Sequence, residues 1–350
     1  MTATAVPARA PGEAAQHVRR RTLARTTTVT IVLTAAVFVT FCVSLSVGDF
    51  PIPLRDVVPA IVGAGTDDAE FIVRTLRLPR ALTAVLVGAA FGVSGAIFQS
   101  LARNPLASPD IIGIDAGACA AAVFCIVVLH TSAGITALGA LGGALLAALA
   151  IYLLAWKRGM SPYRLVLVGI GIAAMLTSLT EYLLTRAQIF EAQRAMVWLT
   201  GSLNGRGWEH VRAVGIPALV LAPVVVALVR PLRLLQLGDD TAKGLGVRVE
   251  TCRLALVLVA VALAAMSTAA AGPVVFVAFV SAPIARRLLH TPLAVGSAAL
   301  VGALLVLLSD LVARRLFAPT ELPVGIVTGV VGAPYLLWLL ARANRVGRGG

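Results

Sequence analysis

Arg77, Arg80 and Arg314 are the side chains best equipped for recognition chemistry, because a planar guanidinium can hold a carboxylate through two parallel hydrogen bonds. Arg77 and Arg80 flank Pro79, which suits the first turn of a helix. Arg314 follows Asp310 at the spacing of an ion pair on one helix face. The same three cations read equally as interfacial side chains snorkelling to a membrane boundary. Catalysis has no foothold here. No GxxxxGK[ST] phosphate loop occurs, so nucleotide has no cradle. His17, His130, His210 and His290 are scattered, no two at ligand spacing, and Cys42, Cys119, Cys125 and Cys252 match no zinc pattern. The cysteines read as small packing residues, and no catalytic residue, metal or cofactor is expected. Asp115 and Glu181 fall in apolar stretches, where a central charge costs about 2.5–3.5 kcal/mol. Nothing in the sequence pairs them, so each is expected near an interface or facing protein rather than in a proton relay.

The elements that carry these residues must be membrane helices. Of 350 residues, 59% are hydrophobic and only 13% charged, with mean hydropathy +0.94. A soluble domain carries about 25% charge; the lower fraction leaves too little polar surface for a water-facing globule. Ten stretches are apolar enough to cross a bilayer, near 26–47, 81–101, 111–130, 133–155, 164–185, 212–229, 254–271, 274–289, 293–312 and 324–341. The eighth is short and follows Gly272-Pro273, so it is expected to be partly re-entrant. Alternating β-barrel patterning is absent, and the fold class is all-α, a polytopic membrane protein.

A net charge of +13 suggests nucleic acid until its distribution is read. With the N-terminus inside, the inner segments hold 19 of the 29 Lys and Arg, and the outer ones hold 10 of the 16 Asp and Glu. That bias fits the positive-inside rule and puts both termini in the cytoplasm. Trp156 and Trp338 then mark inner helix ends, and Trp198 and Trp208 an outer segment. Arg19-Arg20-Arg21 before an apolar run resembles an export signal, but no cleavage site follows and nine more spans do, so an uncleaved first helix is expected. Three domains result: a disordered cytoplasmic tail over 1–25, a transmembrane domain over 26–341 and a cytoplasmic tail over 342–350.

Among the polar interruptions, 230–253 inside is the most informative. Within it Asp239 or Asp240 can cap a short helix through 241–245, and Gly246 can end it. A capped helix in a loop is a rigid knob. Asn104, Pro105 and Pro109 interrupt the chain between the second and third stretches, where they act as a hinge or line a pathway.

Four strings now point one way. RLPRALTAVLVGAAFGVSGAIFQSLARNPLASPDIIGIDAGA covers 77–118, WLTGSL begins at Trp198, LGDDTAKGLGV covers 237–247, and ELPVGIVTGVVGAPYLLWLL begins at Glu321. Together they resemble the FecCD-type permeases of ABC importers for iron-siderophores, heme and cobalamin, over about residues 26–341. The resemblance implies a type II importer fold of ten helices, a second permease subunit that is identical or paralogous, cytoplasmic ATPase subunits and an extracytoplasmic binding protein. It implies that Arg77, Arg80 and Arg314 pair with glutamates of the binding protein. It implies that the knob Leu237, Gly238, Asp239, Asp240, Ala242, Gly244, Leu245, Gly246 inserts into the ATPase, and that Asn104, Pro105 and Pro109 shape the pathway. Ser161, Pro162 and Tyr163 match a position linked to an inner gate, although they vary from the cobalamin-type pattern of small hydroxyls there. The implied substrate is a ferric siderophore, with heme or cobalamin as alternatives. An ion-coupled secondary transporter is the reading from another class. One departure stands out: SAPIARRLLH retains Pro283 and Arg286 but lacks the Pro-His of relatives, with Ala285 intervening.

Overall fold

In a computed structural model the protein is a bundle of helices, with residues 11–156, 162–318 and 320–346 described. Every expected apolar stretch carries a helix. These are α1 (Pro11–Ser46), α4 (Leu78–Ala102), α6 (Ile114–Val127), α7 (Ala133–Ala155), α8 (Pro162–Arg186), α10 (Trp208–Leu235), α12 (Val249–Ala271), α13 (Val277–Leu289), α14 (Val295–Arg315) and α15 (Val324–Val346). Between them lie the shorter α2 (Leu54–Val62), α3 (Asp67–Phe71), α5 (Pro109–Ile112), α9 (Ile189–Leu199) and α11 (Asp239–Gly244). A π-helical stretch, Ile72–Arg77, joins α3 to α4. Among the described residues seven helices are long and apolar enough to cross a bilayer, and α6, α13 and α15 complete the ten.

The ends depart from expectation. Helix α1 begins at Pro11, inside the segment expected to be disordered, because Ala, Glu, Gln and Arg continue a helix cheaply once the span has nucleated it. Helix α15 runs to Val346, past the expected boundary at 341. Ser161 lies outside the described residues, and Pro162 opens α8.

Burial sorts the helices into a centre and a ring. The most apolar windows of α12 and α4 are 78% and 72% buried, against 6% for α10 and 17% for α8. Helices α4, α12 and α14 are the core; the ring turns Leu167, Met175, Leu219 and Val220 outward. In lipid, helix association rests on close van der Waals packing, so small residues gather at crossings. Gly88 and Gly92 of α4 face Gly302 and Ala298 of α14 so closely that a Cβ on either glycine would fall on the opposing carbonyl. Gly88→Ala is expected to cost about 1–3 kcal/mol through overpacking, seen as earlier heat aggregation in detergent by size-exclusion chromatography.

Two helices break inside the bundle. The α4–α6 connection passes through Arg103, in the left-handed region at φ 49°, and through α5; the α12–α13 connection is irregular over 272–276. Gly272, Pro273 and Val274 are buried, so this backbone is enclosed by protein and not by lipid. The eighth span accordingly starts at Val277 rather than 274, after Phe276 at φ 67°.

A basic cavity, a vestibule and a clasped knob

The three arginines expected to face a partner instead converge and bond internally. Arg77, at the end of the π-helical stretch, is buried and donates to the Leu45 and Ser46 carbonyls at 2.9 and 3.0 Å and to the Phe50 carbonyl. Arg314 reaches Asp310 Oδ2 at 3.1 Å and Ser44 Oγ at 2.6 Å, so the Asp310–Arg314 pair read from spacing forms. Arg80 is held between two carboxylates, with Nη2 3.0 Å from Asp310 Oδ1 and Nη1 2.9 Å from Glu321 Oε2. Asp310 is fully buried between two guanidiniums, which is what allows a carboxylate there.

These residues line a cavity of about 410 Å³ beside α1, α4 and α14. Arg206 and Arg315 also line it, against only Asp49 and Glu321 as acids. Arg315 is the accessible cation: its side chain is 47% exposed and lies 3.9 Å from Asp49. Arg206 is fixed by donation to the Ser202 carbonyl at 3.1 Å and by a 2.9 Å contact with His210 Nε2; burial lowers its pKa from the usual value.

Behind the cavity is a vestibule of about 890 Å³, within the range of small-molecule sites. Phe190, Val197 and Trp198 of α9 give it an apolar wall, and Gln193, Arg194 and Asn204 give it polar points. Loop 200–205 is pinned by the Ser202 amide on the Ala271 carbonyl at 2.8 Å and the Gly325 amide on the Gly201 carbonyl at 3.1 Å. Asn204, Gly205, Arg206 and Glu321 line both spaces and so form the wall between them.

Where the two broken helices meet, Asp115 acquires the partners its sequence context did not show. Asp115 Oδ1 accepts from Thr268 Oγ1 at 2.6 Å and Asp110 Oδ2 accepts from the Phe276 amide at 3.2 Å, while Asp110 Oδ1 and Asp115 Oδ2 are buried with no hydrogen-bond partner among the described residues. Glu181 is exposed on α8. Pro109 is buried at the start of α5, while Asn104 and Pro105 are exposed, with Asn104 Oδ1 accepting from the Leu106 amide at 2.9 Å. The structure therefore separates the three expected pathway residues. Pro105 lines an open cavity of about 560 Å³ with Pro283, Arg286, Arg287 and His290. Arg286 reaches Gln99 Oε1 at 2.6 Å, and Arg287 lies 4.0 Å over the Trp338 ring.

On the same face stands the knob. Helix α11 follows Gly238 at φ 114° and precedes Gly246 at φ 84°, both in the left-handed region where glycine is at home. Gly238 is the N-cap, so Asp239 and Asp240, the expected caps, lie inside the helix, which spans 239–244 rather than 241–245. Both oxygens of the Asp239 carboxylate accept from Nη2 of Arg253 of α12, at 2.9 and 2.8 Å, and Arg103 stands 3.7 Å away. Arg103 also donates to the Leu235 carbonyl at 2.7 Å. Ala242 is buried as a plug, while Leu237, Leu245, Asp240 and Gly244 are exposed. The knob is thus bolted to the bundle on one side and presents Leu237, Leu245 and the Asp240–Lys243 pair on the other.

Sequence reasoning missed Arg315, Arg206 and Glu321 as members of the cavity, and Arg253 as the bolt of the knob. Only the Arg253–Glu250 spacing gave any signal, and that pair also forms, at 3.2 Å.

A bundle of ten lipid-length or broken helices, with a vestibule at one end and a rigid knob at the other, defines a polytopic transport permease. A model of the FecCD transport family matches residues 36–342. The chain belongs to that family. It is 42% identical to the ferric enterobactin transport system permease protein FepG of Escherichia coli (strain K12), across 90% of this chain and 97% of that one. It is 45% identical to the achromobactin transport system permease protein CbrC of Dickeya dadantii (strain 3937), across 85% and 87%. A solved metal-chelate type ABC transporter in an inward-facing conformation superposes with a TM-score of 0.81 at 27% identity, covering 90% of this chain and 99% of its own. Membership makes this a multi-pass membrane permease that works with an ATPase and a substrate-binding protein.

Proposed function

We propose that the protein is the transmembrane subunit of an ABC importer that passes a ferric siderophore into the cytoplasm. The observation that carries this reading is the knob: a short helix bolted by Asp239–Arg253, with Leu237 and Leu245 exposed, transmits force only if another protein grips it. The gripping protein is a cytoplasmic ATPase, since this chain has no phosphate loop and does no ATP chemistry itself. The excess of basic residues on the knob's side sets that face inward, with both termini in the cytoplasm of a bacterial inner membrane. The basic cavity then opens outward and receives acidic groups of the binding protein. Arg315 makes the first contact, while Arg77, Arg80 and Arg314 supply the field behind it. The outward apolar faces of α8 and α15 meet lipid or a second permease subunit. Siderophore is favoured over heme or cobalamin by the named substrates of FepG and CbrC.

The test is ATP-driven uptake of labelled ferric siderophores, heme and cobalamin into vesicles holding the permease with its ATPase and binding protein. Uptake of a ferric chelate that stops without ATP supports the reading; uptake by the permease alone under an ion gradient overturns it. That second outcome would direct attention to the Asp110–Asp115 pair, the feature an ion-coupled carrier would use. Within the assembled transporter, Arg315→Glu is expected to weaken binding-protein affinity about fivefold or more, read by titration at low salt. Unchanged affinity would remove the docking role of the cavity.

A further inference from the structure

The carboxylate of Glu321 occupies the position that an incoming carboxylate would need. Arg80 uses Nε and Nη2 on Asp310 and Nη1 on Glu321, so all three of its nitrogens face a carboxylate. The two acids are not equivalent. Asp310 is fully buried on α14 and shared with Arg314, so it cannot leave. Glu321 sits in the α14–α15 connection, and its side chain is 32% exposed. The backbone on either side is held, Leu322 giving its amide to the Ala313 carbonyl at 3.0 Å and Thr320 to the Phe317 carbonyl at 2.9 Å, so the side chain of Glu321 is the part free to turn away. Glu321 also lines both the basic cavity and the vestibule, and Leu322 and Pro323 continue the vestibule wall.

We propose that Glu321 is an internal stand-in for the binding protein's carboxylate, holding Arg80 in the undocked permease and giving it up on docking. The inference rests on the docking reading above. Exchange of one carboxylate for another leaves the charge around Arg80 and Arg314 unchanged, so no guanidinium is left bare. The released side chain is part of the wall of the vestibule, so docking in one space loosens the border of the other. The latch also lowers the apparent affinity for the binding protein by the fraction of time that Arg80 is occupied.

The experiment uses the full transporter with its ATPase and binding protein. Glu321→Gln keeps size and removes the charge; it is expected to tighten binding-protein affinity roughly fivefold. Glu321→Asp keeps the charge on a shorter arm and is expected to fall between the two. Spin labels on Gln193→Cys and Leu322→Cys, with Cys42, Cys119, Cys125 and Cys252 replaced, are expected to move apart on docking and in Glu321→Gln without it. Unchanged or weaker affinity in both Glu321 variants overturns the latch, as does a label spacing that ignores docking. Arg315→Glu separates the failures. If it weakens docking while Glu321→Gln has no effect, the latch falls and the docking reading stands. If neither variant alters affinity, the docking reading falls with it.

Discussion

Gly246→Val is expected to uncouple ATP hydrolysis from transport, while Gly244→Ala, two residues away, leaves coupling intact. Gly246 adopts φ 84°, and nothing lies within 4 Å of the position its Cβ would take. The substitution therefore meets no clash; its whole effect is the backbone penalty of placing a β-branched residue in the left-handed region, about 1–2 kcal/mol. The chain escapes by rotating out of that conformation, which swings Leu245 and the end of α11 away from their present places. Gly244 is helical and equally free of neighbours. Alanine there gains helix propensity at no steric cost. A population shift of 1–2 kcal/mol corresponds to about 5–30-fold in the fraction of correctly shaped knob. The measurement is substrate-stimulated ATPase activity in proteoliposomes, with copurification of the ATPase as the check on assembly. Equal coupling in the two variants would show that the shape of the knob is not what the ATPase reads.

The knob shows how far the sequence reaches. Its glycines and its short polar run between apolar stretches announce a capped helical turn, and α11 falls there. The ten spans are legible for the same reason: bilayer thickness sets one length, and composition fills it. What composition cannot carry is partnership between distant positions. Arg77 meets the carbonyls of residues 45, 46 and 50, and Arg80 meets residues 310 and 321. Periodicity ranks those arginines as interfacial, because each is a charge at the edge of an apolar run. Only the packing of α4 against α1 and α14 turns them inward.

Asp110 and Asp115 are close in sequence, yet Gly113 at φ 94° breaks the helix between them, so no helical spacing rule applies. The interruption at Asn104, Pro105 and Pro109 was visible; that it would divide into an exposed turn and a buried one was not. Asp239 shows the same limit from the other side. Its place before a helix suggested a cap, and a cation fourteen residues on claimed the carboxylate instead. Gly238 takes the N-cap place and Asp239 is the first helical residue, which leaves its carboxylate to Arg253.

Arg77→Ala is expected to destabilise the whole permease and not merely its docking. The last carbonyls of a helix have no amide partner within it. Those of α1 at Leu45 and Ser46, with Phe50 beyond, accept from one buried guanidinium, Ser46 also from the Ile52 amide at 3.1 Å, and the positive charge suits the negative end of the helix dipole. Alanine takes the guanidinium from the Leu45 and Phe50 carbonyls and widens the cavity that Arg77 lines, while Ser46 keeps the Ile52 amide. Hydrogen bonds from a charged donor are worth about 1.5–3 kcal/mol each. Lost at Leu45 and Phe50 together, they exceed the expected cost of Gly88→Ala, because an overpacked crossing can slide whereas an unsatisfied carbonyl cannot. The readouts are the melting temperature in detergent and the protease sensitivity of the α1–α2 connection, compared with Arg315→Glu, which should keep the melting point and lose only docking. If Arg77→Ala melted with the native protein and lost only binding-protein affinity, Arg77 would be a contact residue after all. The guanidinium's bonds to α1 would then be incidental, and the rigid outer rim would need another anchor.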